Sequence, residues 1–269
     1  MANPRILYDY TAWTDTNWGG GSTVSSSNST SSGHPRNLTL DPPGQQWNSG
    51  SGNDTAEYVV FDLGSAKLIT ILNISGANWS AAAEVRWQAN ATNVWTSPSY
   101  NQLLTLKLDS DGNPLGRHTH FLSETYRYWR LYIDDPANPD NRLKISSVLG
   151  GQYYEFEKGM TRGARWTLKD PSTIKHLPGS VEEIQASDRL KKYRQCRFDM
   201  KHISTTEHKK LETIFNKIGN SRPCVLALDP TNNPTEMTAF CYLMTDIDLV
   251  WDLFNRHDAL TMMFEEKTR

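Results

Sequence analysis

The chain has 269 residues, 37% hydrophobic and 22% charged, with a formal net charge of −2. That balance suits one or two globular domains with real cores and excludes a strongly basic surface, so non-specific nucleic-acid binding is not its main work. No stretch approaches the roughly 20 apolar residues that span a bilayer, so no membrane is expected as a partner.

The N-terminal MANPRILYDYTAW has neither the basic start nor the apolar run of a signal peptide, and synthesis in the cytoplasm is expected. Residues 19–37 follow, GGGSTVSSSNSTSSGHPRN, whose composition is that of a flexible linker. The next runs read as strands. EYVVFDLG (57–64) is a short apolar run closed by Gly64, and LITILNIS (68–75) is apolar at Leu68, Ile69, Ile71, Leu72 and Ile74. AEVRWQAN (83–90) sets Val85, Trp87 and Ala89 against Glu84, Arg86 and Gln88, and YRYWRLYID (126–134) alternates in the same way. LKISSVLGG closes the set, and the clusters SGSGND, DSDGNP and DDPANPDN supply turns between the runs. Short strands with Gly, Pro and Asn punctuation predict a β-sandwich or jelly roll.

The composition changes at Gly150-Gly151. Trp13, Trp18, Trp47, Trp79, Trp87, Trp95 and Trp129 all precede it, and residues 1–151 carry 10 basic and 13 acidic side chains against 18 and 17 in 152–269. Two domains are expected, 1–151 and 152–269. In the second, RLKKYRQCRFDMKHI (189–203) reads as a long strand. Ser204 and Glu207 have capping-box spacing, Leu211, Ile214, Phe215 and Ile218 share one helical face, and Gly219 is a C-terminal stop, which predicts a helix over 204–218. Strands in PCVLALDP, MTAFCYLMTDIDL and HDALTMMFEEK follow. The fold class is therefore mainly β: an N-terminal jelly-roll sandwich, then a small barrel or sheet carrying one amphipathic helix. Cys196, Cys224 and Cys241 lack metal-site spacing and read as buried free thiols.

The order of a Ser-rich segment, NLTLDPPGQQWNS, EYVVFDLGSAKLITILNIS, YRYWRLYI and LKISSVLGG resembles the discoidin family, a galactose-binding-like jelly roll, over about residues 1–151. That resemblance implies glycan binding by loops at one end of the sandwich. It also turns the linker reading of 19–37 into an ordered strand over Val24–Ser29, with Gly19–Gly21 and Ser31–His34 as loose shoulders. Trp47 falls at the family's structural tryptophan, and Trp87 and Trp129 belong to packed strands. Sugar rings stack on aromatic faces and hydrogen-bond to Asn and Asp, so the candidate carbohydrate-binding residues are Trp79, Trp18, Asn78 and Asp54. The family's calcium site finds Asp41 followed by Pro42 and a Ser, 146 or 147, late in the domain. Those are too few oxygen ligands, and no metal or cofactor is expected.

The second half, a long strand, a Ser-capped helix, Gly219, PCVLALDP and two terminal strands, is similar to tail-tube-like domains of tailed bacteriophages. That implies a structural protein of the virion, in a distal-tail, baseplate or minor-tail position. Its partners would be further copies in a ring, hexameric by family habit, and the tail tube or baseplate hub. The N-terminal domain would project outward toward host-surface carbohydrate. The basic run Arg189, Lys191, Lys192, Arg194 and Arg197 is then the candidate subunit interface. The alternative is a free lectin-like carbohydrate-binding protein, or an accessory module of a polysaccharide-degrading system. His118 and His120 share one strand face without a third ligand at motif spacing and read as a surface pair, and no nucleophile, zinc or phosphate-loop motif is present, so no enzyme is expected. Six N-x-Ser/Thr sequons, at Asn28, Asn37, Asn53, Asn73, Asn78 and Asn90, read as by-products of composition.

Overall fold

The computed structural model describes residues 3–39, 45–157, 165–170, 173–177, 181–185, 193–251 and 257–266. They fall into two compact units: Arg5–Tyr154 with Ala227–Thr238, and Met1–Pro4 with Glu155–Leu226 and Ala239–Arg269. Both are mainly β, as the alternating runs and turn clusters predict.

The main sheet of the first unit contains β1 (Thr23–Ser26), β2 (Glu57–Ser75), β3 (Glu84–Asn90), β4 (Tyr100–Leu103), β5 (Arg117–Asp134) and β6 (Ser147–Gly151). The sheet order is β1-β2-β5-β3-β4, with β6 also on β2, and every pairing is antiparallel. β2 is one continuous strand where the sequence suggests two. Its register against β5 shifts between Asp62 and Lys67, where Gly64 takes φ 72°. A left-handed residue there suits glycine and lets one long strand change direction. Trp13, Phe61, Trp87 and Trp129 are fully buried and form the aromatic core, with Trp13 stacked on Phe61 at 4.6 Å and edge-on to Trp87 at 6.2 Å. Trp47 is buried as well, as its family position implies. A Cβ on Gly150 would lie 2.6 Å from the Trp13 ring, so only glycine lets β6 pass.

The Ser-rich segment is structural. β1 pairs with β2, setting Val24 opposite Phe61, and Asn28 donates to Glu57 at 2.8 Å while its carbonyl accepts the Trp47 indole N–H at 3.0 Å. The expectation of loose shoulders is corrected. Gly19, Gly20 and Gly21 donate to the carbonyls of Thr16, Asp15 and Thr11, and a Cβ on Gly20 would meet the Thr14 carbonyl oxygen at 1.9 Å. On the other side Gly33 donates to the Thr30 carbonyl, and Asn37 donates to that of Ser32. Small residues here permit close backbone approach instead of conferring looseness.

The second unit contains β7 (Arg165–Lys169), a hairpin of β8 (Thr173–Leu177) and β9 (Val181–Gln185), β10 (Tyr193–Ile203), helix α1 (Thr205–Ile218), β11 (Cys224–Ala227), β12 (Thr238–Leu243), β13 (Asp248–Trp251) and β14 (His257–Glu266). The order is β11-β12-β14-β10-β7, with β13 also on β14. Ser204 caps α1 by accepting the Glu207 N–H at 3.0 Å, while the Glu207 carboxylate accepts the N–H of Glu157 at 3.1 Å. Leu211, Ile214 and Ile218 are buried, and Gly219 donates to the Phe215 carbonyl at 2.6 Å, so the predicted face and stop are both present. Cys196, Cys224 and Cys241 are buried and free. Among the described residues no helix is long and apolar enough to cross a membrane.

Candidate functional site

β5 begins Arg117-His118-Thr119-His120, and the two-residue period puts both imidazoles on one side. The ladder with β2 sets Ile74 opposite His118 and Leu72 opposite His120. Thr119 faces the other way and accepts an N–H from Asn73 at 3.0 Å. His118 and His120 line a cavity of about 380 Å³ within the first unit. Gln102, Leu103, Leu104, Thr105 and Lys107 at and beyond the end of β4 form a second wall, and Pro230, Pro234 and Thr235 a third, with Phe121 beside the histidines.

His118 is only 7% exposed and its Nδ1 has no hydrogen-bond partner. Burial, with His120 adding to it, brings its pKa down to about 4, so the ring is neutral near pH 7. A neutral imidazole offers one N–H and one lone pair. The His120 Nε2 shares a hydrogen bond with the Tyr100 hydroxyl at 2.6 Å. Burial lowers the His120 pKa, and burial with the charge of Glu124 pushes the Tyr100 hydroxyl up to about 12. Lys107 pairs with Glu236 at 3.3 Å, so the one ammonium lining the cavity has its counter-charge at hand. The size falls within the usual range for small-ligand sites, and the composition of apolar walls with a few polar groups is theirs too. Among the described residues no group of three His, Cys, Asp or Glu could hold a metal ion, so the two histidines do not form part of such a set.

The residues proposed from sequence stand elsewhere. Trp79 is 3% exposed and donates its indole N–H to the Leu115 carbonyl at 3.1 Å, so its faces are packed, not open to a sugar. Asn78 and Asp54 join one internal network. Asn78 donates to Asp140 and to the Arg142 carbonyl and accepts the Lys144 N–H at 2.7 Å. Its own carbonyl takes an N–H from Asn138, which also donates to Asp135, and the Asp135 N–H goes to the Asp54 carbonyl. The network fastens loops together. Trp18 alone is exposed, at 48%, in the 3-10 turn Thr16–Trp18 capped by Asp15. Asp41, weighed for calcium, lies outside the described residues, as do Arg189, Lys191 and Lys192. Arg194 is not a free surface cation: it makes two hydrogen bonds to Glu266 and lies over Trp166 at 4.6 Å. Arg197 is exposed opposite Met263. Of the cavity, sequence reasoning noticed only the HTH pair. Gln102, Lys107 and Thr235 carry no local signal, because the chain brings residues 102–107 and 230–235 together from separate stretches.

The sequence matches no protein-family model and no curated protein. Solved structures similar to it include the chitosan-binding module 1 derived from a chitosanase/glucanase of Paenibacillus sp. IK-5, at 15% identity over 49% of this chain and 96% of that one, with a TM-score of 0.36. Another is the family 32 carbohydrate-binding module of NanJ from Clostridium perfringens in complex with galactose, at 13% identity over 49% and 93%, with a TM-score of 0.37. A third is CpGH89CBM32-5 from the same organism in complex with GalNAc-β-1,3-galactose, at 9% identity over 49% and 96%, with a TM-score of 0.37. The fold of the first unit rests on its own strand order and register.

Proposed function

We propose that the first unit is a carbohydrate-binding module and that the cavity at His118 and His120 takes a neutral sugar. The observation that carries this reading is a cavity of about 380 Å³ with mixed walls, lined by a neutral His118 whose buried Nδ1 has no hydrogen-bond partner among the described residues. A pyranose has an apolar face for Phe121, Leu104 or the prolines, and hydroxyls that both donate and accept. Neutral imidazole, the Gln102 amide and the Thr235 hydroxyl do the same, whereas a charged ligand would meet no uncompensated charge there. The test is a glycan array probed with wild type, His118→Ala and Trp79→Phe. Signal is expected from wild type and Trp79→Phe and lost in His118→Ala. Equal signal from His118→Ala would remove the cavity as the site, and silence from wild type would remove the reading.

On this reading the chain is a lectin-like protein or an accessory module of a polysaccharide-degrading system. A second reading adds a role for the second unit: assembly as a ring in a phage tail, with the first unit turned outward to host glycan. What favours it is the order of long strand β10, Ser204-capped α1, Gly219 and β11, although three strands, β12, β13 and β14, follow where that resemblance implies two. Light scattering on the purified chain separates the two. A ring of several copies favours the tail; a monomer that binds sugar leaves the module.

A further inference from the structure

β3 and β5 carry arginines with very different surroundings. Arg86 pairs with Glu84 at 2.5 Å, and Arg127 makes two hydrogen bonds to Asp62, at 2.7 and 2.9 Å. Among the described residues Arg130 has no carboxylate partner. Its Nε donates to the neutral Gln88 side chain at 2.6 Å, directly across the ladder, and Gln88 is itself held by Asn101 at 3.2 Å. Among the described residues its two terminal nitrogens have no partner. The guanidinium sits in an aromatic slot, 4.6 Å from the Trp95 ring, 5.4 Å from Tyr58 and 5.6 Å from Tyr132. The Tyr58 and Tyr132 hydroxyls make no hydrogen bonds among the described residues either. Burial draws the Arg130 pKa below its ordinary value, the mark of a cation partly stripped of water.

We propose that this face is a second binding site, in which Arg130 grips the oxyanion of an acidic sugar in a polysaccharide while Tyr58, Tyr132 and Trp95 contact its ring. The Gln88 hydrogen bond and the aromatic planes fix the fork before binding, and two parallel N–H groups match a carboxylate or a sulfate. Nucleic acid is a poorer match. It needs several unpaired cations along a phosphate backbone, and residues 1–151 hold 10 basic against 13 acidic side chains. The site goes beyond the neutral-sugar cavity and uses none of its residues.

The full chain is run in native gels containing sodium polygalacturonate, dextran sulfate or neutral dextran. Retardation by one acidic polymer and not by dextran is expected, and which polymer acts tells carboxylate from sulfate. Arg130→Gln is expected to weaken that affinity at least about tenfold, and Arg130→Lys to restore less than half of it, because an ammonium has no fork. His118→Ala is expected to leave it within about twofold, so this site and the cavity fail separately. Trp95→Ala, in a loop, should weaken binding about threefold or more even if Arg130→Gln folds poorly. No retardation of wild type by either acidic polymer overturns the proposal. So does unchanged retardation of folded Arg130→Gln or Trp95→Ala, or equal competition by single-stranded DNA.

Discussion

Arg194 and Glu266 meet side by side across β10 and β14, Nε to Oε2 at 2.8 Å and Nη2 to Oε1 at 2.7 Å, with side chains only 16% and 7% exposed. The planar match fixes the relative placement of the two strands. Removing one charge strands the other in poor solvent. Glu266→Gln is expected to destabilise the second unit by about 3 kcal/mol in urea unfolding, whereas Arg197→Gln, on the open side of the strand, stays within about 0.5 kcal/mol.

Trp79 and Trp18 should separate in the same way. Trp79→Ala opens a cavity in the first unit and is expected to cost about 3–4 kcal/mol, read as a fall in the unfolding midpoint. Trp18→Ala, half exposed in its turn, should move that midpoint by less than about 0.5 kcal/mol. The reverse ranking would place Trp79 at the surface.

His118 makes stability depend on pH. Its pKa is lowered from 6.5 to about 4, so between those values the unfolded chain binds the proton that the folded chain refuses. Stability therefore rises with pH across this window and is fully present above about 6.5. The full depression is worth about 3 kcal/mol, reached only below about pH 4. His120 and Lys107 act on the ring in the same direction, and Glu236 opposes them. Melting measured from pH 7.5 to 4.5 should show the fall, and His118→Gln should flatten it. An equal slope in both proteins would place the titration elsewhere.

Ser204→Ala removes the acceptor for the Glu207 N–H and should cost about 1 kcal/mol. Ser204→Asp keeps an acceptor and should recover most of it. Helix loss on heating, followed by circular dichroism, checks both.

Local rules carried a good deal of this. Alternation found β3 and the end of β5, and capping and spacing found α1 to within a residue, because each signal lies inside one element. The HTH period put His118 and His120 on one strand face for the same reason, but its reading as a surface pair fails, because His118 is buried. What stayed hidden depends on distant partners. Gly76, Ala77 and the alanines at 81–83 suggest an open loop around Trp79, yet the ring is buried because Leu115, 36 residues away, accepts its N–H. The basic run before β10 reads as a charged face until Glu266 at the far end of the chain is placed beside Arg194. Gly19–Gly21 look loose because composition does not reveal that Thr14 lies against Gly20.

The segment Ala227–Thr238 belongs to the first unit although most of the strands on either side of it belong to the second. Neither unit is thus a single length of chain. A gene cut at codon 151 would yield a sandwich missing Pro230, Pro234 and Thr235, with its cavity open on one side. Recombination through one junction could not trade the first unit between proteins whole. The two parts must be inherited together, so a change in the cavity lining has to come by substitution within this chain.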